Sequence, residues 1–166
     1  MSKPLKVKRV SAADPVQRTA VRILRTRLKE FYSHWPDPQT LPTTEQLHNL
    51  RISGKRLRYS AEQLRELYSD RLALLIDLLK RGQDLLGEIQ DCVTQRMMLE
   101  AELPRLQRRN PDEAAALERL VRESECRQKM LFVQFREIWQ GMAMMEFRAS
   151  LKAMVSTLPG KKNEKK

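Results

Sequence analysis

Apolar residues recur along this chain at helical spacing, and the caps and breakers between them divide it into a few long helices. Val16, Ala20, Ile23, Leu24 and Phe31 mark the apolar side of a first helix over about 14–33. Asp14-Pro15-Val16-Gln17 supplies its start, with a capping aspartate, proline at the first position and glutamine at the third. The prolines of His34-Trp35-Pro36-Asp37-Pro38 end it. A second helix opens at Pro42-Thr43-Thr44-Glu45, with either threonine as cap, and runs to about residue 68. Leu50, Leu57, Ala61, Leu64 and Tyr68 share its apolar face.

Ser69-Asp70 can cap a third helix, whose buried face takes Leu72, Leu75, Ile76 and Leu79, then Leu85, Leu86, Ile89, Val93 and Met97. Pro104 is expected to kink or end it. Asn110-Pro111-Asp112-Glu113 starts a fourth, continued by Leu117, Leu120, Val121, Leu131, Phe135, Ile138 and Trp139. Gly141 and the methionines at 142, 144 and 145 suggest a bend before a last segment reaching about 158. That methionine patch reads as adaptable core or as a subunit contact. Four long helices with short connections make an all-α fold, an antiparallel helical bundle, the economical architecture. The expected organisation is a basic arm over 1–13, a bundle over 14–158 and a lysine-rich, disordered tail over 159–166.

Composition agrees and adds a charge. The chain has 166 residues, 5 glycines, few aromatics and a net charge of +11. Residues 1–10 hold four of those charges without an acid, and residues 159–166 a net three, which leaves four for 11–158. Anion binding by the folded part must therefore rest on where its cations sit. They sit in two stripes. Arg18, Arg22, Arg25 and Lys29 line one side of the first helix; His48, Arg51, Lys55 and Arg58 line one side of the second, away from its apolar face. Like charges at this spacing weaken a helix by a few tenths of a kcal/mol per pair, and Glu62 is the only acid near the second stripe. The stripe is either a solvated charged face or a pocket for a polyanion. Gly54, in mid-helix, marks either close helix packing or close approach of a ligand. Arg27 falls inside the first helix's apolar side, snorkelling to the rim or pointing into a polar cavity.

Leu47-His48-Asn49-Leu50-Arg51, followed by Lys55-Arg56-Leu57-Arg58-Tyr59, resembles the signature of the CHAD family, the conserved-histidine α-helical domains. Leu85-Leu86-Gly87-Glu88-Ile89-Gln90-Asp91 resembles the Leu-Gly-x-x-x-Asp element of that family's following helix. The resemblance covers about 14–158. It implies a helical bundle without known catalysis whose basic surface binds inorganic polyphosphate, in association with polyphosphate granules. His48, Arg51, Lys55 and Arg58 would be anion contacts, and Asp91 would orient one of these basic side chains. Two departures stand out. Gln90 replaces a residue that is basic in many members, and the chain holds one helical unit where many hold two in tandem, which makes a homodimer attractive.

Chemistry favours a binding module over an enzyme. Polyphosphate offers a flexible strand of charge, which suits Arg forks and Lys point charges, and the two stripes can wall one groove. His48 can donate from both ring nitrogens when an anion brings a second proton, or can be a partly buried imidazole bonded to a neighbour such as Asp91. Two histidines without ligand spacing point to no metal, and no glycine-rich phosphate loop or cofactor motif is present. Cys92 and Cys126 form no disulfide framework, no secretory leader is read, and no apolar run spans a bilayer, so a reducing cytoplasm is the default. The alternatives are nucleic-acid binding through tails and stripes, without base-stacking aromatics between the cations, and a helical scaffold contacting acidic proteins.

Overall fold

The computed structural model describes residues 3–8, 10–34, 42–143 and 145–157, with the side chains at 142, 143 and 145–147 excepted. Its elements are α1 (Val16–Ser33), α2 (Thr44–Gln63), α3 (Arg65–Tyr68), a 3₁₀ turn (Ser69–Leu72), α4 (Ala73–Arg109), α5 (Pro111–Ala143) and α6 (Met145–Ser156), with no strand among the described residues. The fold is all-α, as the periodicity predicts.

Local chemistry explains most boundaries. Thr43 caps α2 with a full capping box: its Oγ1 accepts from the Gln46 N–H at 3.2 Å, and Gln46 Oε1 accepts from the Thr43 N–H at 2.7 Å. Asn110 opens α5, its carbonyl taking the Ala114 N–H and its side chain the Glu113 N–H. Two expected boundaries are corrected, and of the two outcomes expected at Pro104 one is excluded. Asp14 does not cap α1; its carboxylate turns back to the Ser11 N–H and pairs with Arg22, and Pro15 holds the cap position without a side-chain bond. Ser69-Asp70 enters the 3₁₀ turn instead of capping a long helix, with Ser69 at φ 51°. Pro104 does not end α4, which continues to Arg109. The carbonyl it orphans belongs to solvent-exposed Glu100, where water can satisfy it.

α4 and α5 form an antiparallel hairpin. Glu88 pairs with Arg127, the Cys92 carbonyl accepts from Ser124 Oγ at 3.0 Å, and Gln107 reaches Glu118, so the partner number falls as α4 advances. At 37 residues α4 is roughly 55 Å long, more than the shorter helices can cover. Its last buried residue is Val93, while Met97, and Leu120 on α5, are exposed against expectation. The core lies at the other end. Leu24, Leu50, Leu57, Tyr68, Leu72, Leu75 and Val155 are each 1% exposed or less. Next to them, Phe31 and Trp139 meet edge to face at 6.0 Å, with Phe135 at 4.9 Å from Trp139. Tyr68 Oη donates to the Val155 carbonyl, tying α3 to α6.

Arg27 reaches neither cavity nor rim as a free cation. It pairs with Glu30, a carboxylate only 1% exposed that also accepts from Arg56 Nη1 at 2.5 Å, so one buried acid joins α1 to α2.

Candidate anion-binding site

The stripe on α1 faces a groove. Packing of Leu24, Leu28 and Phe31 into the core turns Arg22, Arg25 and Lys29 toward α6 and the N-terminal residues. A cleft of about 890 Å³ results, lined by Lys6 and Lys8, by Arg22, Arg25 and Lys29 of α1, and by Arg148 and Lys152 of α6. Its floor is apolar, with Leu5, Leu28, Tyr32 and Val155, and no lining residue carries a carboxylate. Low-polarity walls and one sign of charge focus potential into such a cleft. Arg18 lies outside it, on the exposed first turn of α1.

Two of the cations are held in place. Arg22 donates to Asp14 at 2.5 Å, and the Asp14 carboxyl is held below its ordinary range, first by the Ser11 N–H and then by this guanidinium. Arg148 stacks over the Tyr32 ring at 4.5 Å. Burial pushes the Tyr32 phenol up to about 12, against a smaller opposing pull from Arg148. Tyr32 therefore stays neutral and adds no negative charge to the groove.

The stripe on α2 faces α4 instead. His48 and Arg51 line a small cleft of about 50 Å³ with Pro42, Thr44 and Leu47, facing Leu86, Ile89, Gln90 and Val93 of α4 and Gln128 of α5. Lys55 is half-buried on the same helix. Arg58 is engaged within the protein: its Nε donates to Gln83 Oε1 at 2.9 Å, its Nη1 to Glu62 at 3.0 Å, and its guanidinium lies over the Tyr59 ring at 4.6 Å.

The eight cationic positions read from the sequence thus fall into two places. No residue of either stripe lines the other's cleft, so the expected single groove with two cationic walls is not formed. Asp91 is exposed, without an ion pair or hydrogen bond among the described residues, and Gln83, about two turns earlier on α4, orients Arg58. Gln90, not Asp91, faces the cleft beside His48 and Arg51.

Sequence reading missed Lys6, Lys8, Arg148 and Lys152 as groove residues. Arg148 and Lys152 carried a usable signal, two cations at i,i+4 with no acid between them. The methionines at 142, 144 and 145 and the tail at 159–166 lie outside the described side chains. Among the described residues no helix is long and apolar enough to cross a membrane.

A family model described as CHAD domain matches residues 2–100, which takes in α1 to α3 and most of α4. No curated protein and no solved structure matches the chain.

Proposed function

The chain belongs to the CHAD family, and from that premise we propose that it binds inorganic polyphosphate without transforming it. The observation that carries this reading is the groove between α1, α6 and residues 5–8: seven cations converge on it and no carboxylate lines it. A flexible strand of phosphates presents oxygen pairs for the guanidinium forks of Arg22, Arg25 and Arg148 and single charges for the lysines. The His48, Arg51 and Lys55 face offers a second, narrower contact. Arg58 contributes least in the free protein, because its donors already serve Gln83 and Glu62.

The test is a calorimetric titration with polyphosphate. Arg25→Ala/Lys29→Ala and Arg148→Ala/Lys152→Ala should each weaken binding roughly thirtyfold, from about 1 kcal/mol for each solvated contact. Deleting residues 159–166 should change it far less. Helical content should stay constant, since all four side chains lie off the core. A deletion that abolishes binding while both double variants bind normally would remove the groove from the mechanism. Competition with DNA of equal charge separates polyphosphate binding from nucleic-acid binding, because counterion release alone would make the two anions equivalent.

Assembly as a symmetric homodimer in the cytoplasm belongs to the same reading. Met130 and Val133 leave apolar surface on α5, 63% and 48% exposed.

A further inference from the structure

We propose that a small recess among α1, α2, α4 and α5 receives one phosphoryl oxygen of the bound anion, with Arg51 and Gln83 as its donors. The inference rests on the polyphosphate reading and deepens it. The recess, about 20 Å³, lies beside Arg51 and Gly54 of α2 and Gln83 of α4, against apolar Phe31, Phe135 and Trp139. That volume suits a single oxygen.

Two buried donors have no hydrogen-bond partner there: Arg51 Nε and Gln83 Nε2. Gln83 is only 8% exposed. Its amide cannot be turned round to relieve the problem, because its Oε1 already accepts from Arg58 Nε at 2.9 Å. Leaving two donors buried and unmet is costly. Apart from Gln83, none of the lining side chains carries an oxygen. A water in the recess would accept from both donors. An anionic oxygen would gain the charge of the Arg51 guanidinium as well, which a water does not.

Two further features agree. Arg51 also lines the outer cleft with His48, Gln90 and Gln128, so a phosphate held there can place one oxygen inward past its guanidinium. Gly54 keeps the recess open. A Cβ at that position would stand 3.6 Å from Gln83 Nε2 and 3.4 Å from the Phe31 ring, which is ordinary contact distance. Helix packing therefore tolerates alanine there, and the missing methyl leaves space beside the amide.

Gln83→Glu and Gly54→Ala separate the proposal from a purely structural role. Gln83→Glu supplies a charged acceptor to Arg51 Nε while still accepting from Arg58. It should raise the melting temperature and yet weaken tripolyphosphate binding at least tenfold. Gly54→Ala should also raise the melting temperature, by helix propensity, and weaken the same binding. In a Trp35→Phe background, Trp139 emission should respond to tripolyphosphate in the parent and lose that response in both variants. If the parent binds tripolyphosphate and both variants bind equally well, with Trp139 silent throughout, the recess proposal is overturned and polyphosphate binding stands. If the parent itself binds no tripolyphosphate, the polyphosphate reading fails, and the recess with it.

Discussion

Glu30→Gln tests the buried charge that holds the two cationic helices together. The Glu30 carboxylate is 1% exposed and accepts from Arg27 on its own helix and from Arg56 on α2, whose side chains are 16% and 25% exposed. Glutamine keeps the volume and one acceptor oxygen but removes the charge that balances both guanidinium groups. Breaking a buried ion pair by deleting one partner costs about 3–5 kcal/mol. Both arginines retain some contact with water, which places the expectation at the lower end, about 3 kcal/mol. For a chain of this size that is a fall of roughly 6–12 °C in melting temperature. Thermal and urea unfolding followed by circular dichroism at 222 nm would measure it. Replacing all three residues with apolar side chains of similar volume should recover most of the loss, since the charges would then no longer require balancing. A Glu30→Gln variant within about 1 kcal/mol of the parent would show that the pair is solvated, and the reasoning would fail.

Raising the pH should expose the burial of Tyr32. Its phenol is pushed from 10.0 up to about 12 in the folded chain, so the stability it contributes is complete below pH 10 and is lost as pH rises toward 12. Tyr32→Phe should lose less stability than the parent over that window in pH-dependent thermal melts, with the remaining loss falling to Tyr68, whose phenol burial also raises. At the acid end, Asp14 is held low, so its contribution should survive down to the ordinary aspartate range and disappear only below it, with Asp14→Asn removing that step. Light scattering at tens of micromolar should give twice the chain mass, with and without polyphosphate; a monomer in both conditions would dismiss the homodimer.

The helices, their direction changes and their cationic stripes were legible in the sequence because each depends on residues within a few turns of one another. The Thr43 capping box with Gln46 and the Asn110-Pro111 start are local backbone chemistry, and the 3.6-residue period sorts Leu50 and Leu57 from Arg51 and Lys55 without reference to any neighbour. Pro104 resisted such reading, because whether a helix survives a proline depends on what satisfies the orphaned carbonyl, here water around an exposed turn. The destination of each stripe was also beyond the sequence. Helical phase fixes which side chains share a face, but the packing of distant elements sets the rotation of that face about its axis. Tertiary structure alone brings Arg148, Lys152 and Lys6 to the α1 stripe, occupies Arg58 with Gln83 twenty-five positions away, and neutralises Arg27 through an acid shared with Arg56. It also leaves Arg51 Nε and Gln83 Nε2 without a partner beside a space that exists only where α1, α2, α4 and α5 meet.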